Sequence, residues 1–152
     1  MSHIKISFCT PAPMEYVFDY ITEPDNMPAW NSNLVAVKNQ SEGPVAAGTS
    51  WIQVFKLGVI TTELPCRVLE YKPPFGIVCE MMLPLGVRLL FSLVLEPQGD
   101  GTKVTYIADY EPPSSLRGKI AARVIESRVR RDTERSADNL KAILQNGAMT
   151  KR

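Results

Sequence analysis

The chain alternates apolar and polar residues through a succession of short runs, then changes period for good near its C-terminus. Over residues 3–9, Ile4, Ile6 and Phe8 interleave with Lys5, Ser7 and Cys9, the period of two expected of a half-buried strand. Thr10-Pro11-Ala12-Pro13 stops that run. Met14, Val17, Phe18 and Ile21 then recur at helical spacing, with Pro13 suited to the first helical position and Glu15 in the first turn, where the helix dipole favours an acid. Pro24 ends this helix, and residues 25–30 predict a short second helical turn carrying Trp30. Leu34, Val35 and Val37 open a second strand. Five more are expected at residues 50–56, 59–71, 77–83, 87–96 and 102–111, with turn signals at Leu57-Gly58, Lys72-Pro73-Pro74-Phe75-Gly76 and Gln98-Gly99-Asp100-Gly101.

The last segment has a different period. Leu116, Ile120, Val124, Ile125, Val129, Thr133, Ala137, Leu140 and Leu144 recur at three- and four-residue steps. Pro112 and Pro113 precede them, Ser114 or Ser115 can cap the helix, and Gly147 can sit just past its end. At ~1.5 Å per residue the predicted helix is about 45–50 Å long. Six consecutive strands with short connections favour an antiparallel sheet, and the segregated helices make the class α+β. A seven-stranded sheet twists and curls, so one long helix can lie across its concave side. One domain is expected over residues 1–152, its core spanning about 3–146.

Composition narrows the function classes. Hydrophobic residues are 45% and charged residues 22% of the chain, and the net charge of +1 exerts no global pull toward nucleic acid. No apolar run reaches membrane-spanning length and the N-terminus does not read as a signal peptide, so a cytoplasmic protein without integral membrane association is expected. Cys9, Cys66 and Cys79 are widely spaced and the only histidine is His3, which leaves no metal-ligand spacing, no cofactor motif and no Ser-His-Asp or Cys-His arrangement. All three cysteines are expected to be small core residues. The basic stretch Arg128-Val129-Arg130-Arg131 lacks the aromatic interleaving of a nucleic-acid patch and reads as a solvated helix face.

Several motifs carry a family resemblance. Residues 12–21 with Pro24-Asp25-Asn26-Met27-Pro28-Ala29-Trp30, then Gly48-Thr49-Ser50-Trp51, Glu70-Tyr71-Lys72-Pro73-Pro74, Leu95-Glu96-Pro97 and Asp100-Gly101-Thr102-Lys103-Val104, occur in the order shown by polyketide cyclase/dehydrase-like proteins. The chain resembles that group of the START-like, helix-grip (SRPBCC) superfamily over residues 3–146. The resemblance implies a seven-stranded curved antiparallel sheet wrapped around the C-terminal helix, with two short helices after the first strand. It also implies a deep cavity between sheet and helix, with its mouth near the short second helix. Family members include lipid carriers, hormone sensors and aromatic-ring cyclases, so the implied partner is a small hydrophobic, lipid-like or polyketide-like ligand.

Aligning the strand alternation with the family pattern turns Trp51, Gln53 and Phe55 inward, with Leu64, Cys66, Val68, Cys79, Met81, Leu83, Phe91, Leu93, Leu95, Val104, Tyr106 and Tyr110. The expected ligand contacts are Trp30, Trp51, Gln53, Phe55, Cys66, Met81, Phe91, Leu93, Tyr106, Tyr110, Ile120 and Val124. Arg67, Glu70, Arg88 and Glu96 fall on the opposite phase, which leaves Tyr106 and Tyr110 as the best candidates for acid–base work and favours binding over catalysis. A packed core is the plain alternative for the same residues. On the outer phase Val78, Met82, Leu90 and Val94 are apolar, an expected self-association face for a homodimer.

Overall fold

A computed structural model describes residues 2–83, 86–111 and 116–150. In chain order the elements are β1 (Ser2–Thr10), α1 (Met14–Thr22), a 3-10 turn (Pro24–Asn26), α2 (Met27–Trp30), β2 (Leu34–Lys38), β3 (Ser50–Leu57), β4 (Ile60–Lys72), β5 (Gly76–Met82), β6 (Arg88–Gln98), β7 (Gly101–Glu111) and α3 (Leu116–Thr150). The strands form one antiparallel sheet in the order β1-β7-β6-β5-β4-β3-β2. Strands β2 to β7 are thus a meander of hairpins, and β1 pairs with the last strand. The segment from β1 to β2 must therefore pass from one edge of the curved sheet to the other, and α1 and α2 lie on that path.

Elementary preferences explain most of these boundaries. Pro13 caps α1 from an extended conformation rather than opening its first turn, so the helix begins one residue later than its sequence suggests. The β6–β7 hairpin turns on Gly99, whose φ of 58° suits a residue without a Cβ. Next to it, a Cβ on Gly101 would meet the Thr10 carbonyl oxygen and lie 2.9 Å from Pro11 Cα, so the end of β1 packs directly on the hairpin backbone. In β4 a bulge between Val68 and Glu70 shifts the register against β5. Glu70 is exposed as expected, but only because of this bulge: continued unbroken from Leu64, Cys66 and Val68, the alternation turns Glu70 inward, whereas the bulge keeps it out and directs Tyr71 in, where its ring meets Phe18 at 5.3 Å.

The third helix runs for 35 residues, about 52 Å at ~1.5 Å each. It continues through Gly147, which does not end it as expected. The expected caps Ser114 and Ser115 lie outside the described residues, as do Pro112 and Pro113. Its two halves differ. Thr133, Ser136, Ala137, Leu140 and Leu144 are buried, whereas Ile120 and Val124 are 58% and 71% exposed. Hydrogen bonds fix the second half to the segment after α2: Ser32 N donates to Ser136 Oγ at 2.8 Å, Asn139 Nδ2 to the Trp30 carbonyl at 3.2 Å, and Asn33 Nδ2 to Asp132 Oδ1 at 3.2 Å.

The core divides accordingly. The larger cluster joins Val17, Phe18, Ile21, Met27 and Trp30 to the sheet and to Leu140 and Leu144. A smaller one gathers Ile4, Met81, Val87, Leu89, Ala108 and Tyr110, with the half-buried Phe55, Leu64, Leu83 and Val129 against it. Cys66 and Cys79 are buried, but Cys9 is exposed, because the inward phase of β1 belongs to Ile4, Ile6 and Phe8. On the outer sheet face Val78 and Leu90 are half-buried, while Met82 and Val94 are 41% and 38% exposed. Glu80 sits among them, pairing with Arg67 at 3.2 Å and with Arg88.

Candidate functional site

Between the smaller core cluster and the middle of α3 lies a cavity of about 490 Å³. Its volume falls within the range of small-molecule sites. Alternation along the strands supplies most of the lining: Gln53 and Phe55 from β3, Thr62 and Leu64 from β4, Met81 from β5, Leu89 and Phe91 from β6, and Tyr106 from β7. Leu83 adds to the rim beyond β5. One face of α3 closes the space with Val124, Arg128, Val129, Asp132, Thr133 and Ser136, and Asn31 adds a contact beyond α2.

Exposure separates floor from mouth. Gln53, Met81, Leu89, Phe91 and Tyr106 are buried and form the floor. Phe55, Thr62, Leu64, Leu83 and Arg128 are part-exposed, and Val124 is largely exposed. The mouth therefore opens beside the first half of α3, at the end of the sheet that carries the β3–β4 hairpin. The segment leaving α2 reaches this same end, since the Asn33 carbonyl accepts from Lys56 N at 2.9 Å and Asn31 lines the cavity, while Trp30 itself is buried in the larger cluster with its carbonyl tied to α3.

Six of the expected ligand contacts line the cavity: Gln53, Phe55, Met81, Phe91, Tyr106 and Val124. Trp30 stands behind the wall with its ring edge-on to Tyr106 at 6.4 Å, and Phe91 stacks on the same tyrosine at 6.4 Å. Trp51, Cys66, Leu93 and Tyr110 face the interior as expected, but they are packed core beside the space. Ile120 points to solvent. Sequence reasoning did not single out Asn31, Thr62, Leu89 or Ser136 as lining. Leu89 and Thr62 share the phase of inward neighbours and were recoverable from alternation; Asn31 and Ser136 depend on how α2 docks on α3.

The polar groups are few and unevenly placed. Gln53 is fully buried; its Nε2 lies 3.9 Å from Met27 Sδ, and its Oε1 has no hydrogen-bond partner among the described residues. Burial raises the Tyr106 phenol well above its ordinary range, with further upward contributions from Cys79, Cys66 and Asp132, so it stays neutral at physiological pH. The Cys79 thiol is also pushed up, first by its hydrogen bond with Cys66 and then by burial. At the rim, Arg128 Nε donates to Asp132 Oδ2 at 3.2 Å. Burial raises the Asp132 carboxyl above its ordinary value, and Arg128 opposes that shift through its charge and its hydrogen bond. No group of three His, Cys, Asp or Glu side chains gathers where it could hold a metal ion among the described residues. The site thus offers an apolar floor, a neutral phenol and one ion pair at its edge. That arrangement can enclose and desolvate a greasy molecule.

A curved sheet gripping a long helix over an apolar space defines the helix-grip class of ligand chambers. The chain belongs to the polyketide cyclase/dehydrase and lipid transport family, whose model matches residues 1–145. Among solved structures it resembles TTHA0849 of Thermus thermophilus, with a TM-score of 0.74 at 17% identity over 96% of this chain and 99% of that one. It also resembles the di-domain ARO/CYC StfQ from the steffimycin biosynthetic pathway, with a TM-score of 0.74 at 12% identity over 96% of this chain and 51% of that one. CV1439 of Chromobacterium violaceum matches with a TM-score of 0.70 at 15% identity over 94% and 96% of the two chains. No curated protein is a significant match. No described helix is long and apolar enough to cross a membrane.

Proposed function

We propose that this protein binds a small hydrophobic molecule in the cavity under α3 and carries it rather than transforming it. The observation behind this reading is the lining itself. Phe55, Leu64, Met81, Leu83, Leu89, Phe91 and Val129 supply most of the surface, and the only charged lining residues among those described, Arg128 and Asp132, are paired at the rim. A lipid-like or polyketide-like ligand suits such a wall. The work takes place in the cytoplasm on this reading, and it needs neither metal nor cofactor.

A second reading, a cyclase or dehydratase acting on the same kind of ligand, draws support from the family and from the fold shared with StfQ. It would rely on Tyr106, because Tyr110 stands outside the cavity lining. A phenol with a raised pKa can donate a hydrogen bond but is a poor base, and that weighs toward the carrier.

Native mass spectrometry of protein purified from its own host, together with titration of a lipophilic dye, tests the proposal. A co-purified apolar molecule, or dye uptake at micromolar protein that Leu64→Trp lowers at least fivefold, is expected. Finding neither a retained molecule nor dye uptake would overturn it. Conversion of a bound polyketide-like molecule, abolished by Tyr106→Phe with binding intact, would establish the second reading instead.

A further inference from the structure

The end of the sheet that bears the cavity mouth also bears the four most exposed aliphatic side chains described. Val59 and Ile60, at the tip of the β3–β4 hairpin, are 99% and 63% exposed; Ile120 and Val124 occupy the first half of α3. Strand polarity brings these elements to one end. In an antiparallel meander β3 and β5 finish where β4 and β6 begin, β7 finishes there too, and α3 starts from β7. Both elements border the cavity, since Val124 lines it from the helix and Phe55 and Thr62 line it from the hairpin.

Charge is concentrated on the same element. From Leu116 to Arg131 the sequence holds six lysines and arginines (Arg117, Lys119, Arg123, Arg128, Arg130 and Arg131) against one acid, Glu126, a net of +5. The whole chain nets +1, so the remainder nets −4. Exposed aliphatic side chains interleaved with Lys119 and Arg123 on one helix are the pattern of an interfacial element, apolar where it enters the acyl boundary and cationic where it meets headgroups. A second copy of this chain is a poor occupant, because two such helices repel. Nucleic acid would use the cations and gain nothing from the aliphatic residues.

We infer that this end of the molecule docks on an anionic lipid surface and presents the cavity mouth to it. Docking gives the proposed carrier a route by which an apolar ligand reaches the cavity without crossing water. The inference rests on the carrier reading only for that purpose, since docking is measured with no ligand added and can fail while ligand binding stands.

The test is co-sedimentation with vesicles of phosphatidylcholine alone, or of phosphatidylcholine with about 30 mol% phosphatidylglycerol. Association with the anionic vesicles is expected to exceed that with the neutral ones at least tenfold and to fall steeply as salt is raised. Val59→Gln and Ile120→Gln should each weaken it at least fivefold with unchanged thermal midpoints. Phe75→Gln, at an exposed apolar position in the β4–β5 turn at the opposite end of the sheet, should leave it intact. Absence of vesicle association, equal association with neutral vesicles, or equal loss in Phe75→Gln would overturn the inference. So would retardation of duplex DNA by protein that ignores vesicles, or dimerisation that Ile120→Gln abolishes.

Discussion

Asp132 shows how one side chain can tie the rim to the fold and carry an electrostatic penalty. It accepts from Arg128 on its own helix and from Asn33 beyond α2. Burial nevertheless raises its proton affinity above that of the unfolded chain. The sign follows from linkage. A carboxyl with a raised folded pKa favours the fold while protonated; that contribution is full below the unfolded value, near 4, and is lost as pH rises through the raised folded one. Chemical denaturation of the wild type and of Asp132→Asn across pH 3–7 should therefore show the wild type losing ground to the variant as pH rises through that window, with no further divergence above it. A flat difference would mean that Arg128 and Asn33 fully offset the burial. None of this was legible from the sequence, where Asp132 reads as one charge on a solvated face. The strand residues of the floor were legible, because alternation aligned with the family pattern assigns Gln53, Phe55, Met81, Phe91 and Tyr106 to one side of the sheet. What alternation cannot say is whether an inward residue meets a void or a neighbour, so Trp51 and Leu93 looked the same as Phe55 and Phe91.

At the scale of elements the two halves of α3 do different things despite one continuous apolar stripe. Periodicity marks Ile120 and Leu140 alike, yet Leu140 is fully buried and Ile120 is mostly in water. The difference comes from α2 and the segment after it, which dock through Trp30 and Ser32 on Asn139 and Ser136 in the second half. Leu140→Ala should thus cost about 2–5 kcal/mol of stability and Ile120→Ala less than about 0.5 kcal/mol, measured by urea denaturation. Equal losses would mean that the first half is packed after all. The β6–β7 hairpin offers a second test. Its turn was legible from Gln98-Gly99-Asp100-Gly101, but the contact of Gly101 with Thr10 and Pro11 was not, since it depends on β1 pairing with the last strand. Gly101→Ala should destabilise by about 1–3 kcal/mol through backbone displacement at the end of β1. The β4 bulge escaped notice for the same reason: a register shift is set by the partner strand.

For the whole molecule the division of the core into two clusters is the organising fact. The larger is covered by α1, α2 and the second half of α3 and supplies Phe91 and Tyr106 to the cavity floor, and the smaller is bounded on one side by the same cavity. Pairing of two copies through Val78, Met82, Leu90 and Val94 would have to desolvate the Arg67–Glu80–Arg88 network that interrupts those residues, and burying an ion pair is seldom repaid. A monomer is therefore expected in sedimentation velocity runs at micromolar concentration, in place of the homodimer that the apolar outer phase suggested. The same division predicts where the fold opens. Local unfolding draws on segments with little buried apolar surface. Residues 119–128 of α3 leave Ile120 and Val124 in water, while residues 133–144 bury Thr133, Ser136, Ala137, Leu140 and Leu144. Amide exchange should accordingly be faster over 119–128 than over 133–144, within one unbroken helix. An apolar ligand that fills the cavity would cover Val124 and remove part of that asymmetry, so its addition should slow exchange over 119–128 and leave 133–144 unchanged. Slowing confined to 133–144 would place the ligand elsewhere and detach the first half of the helix from any part in admitting it.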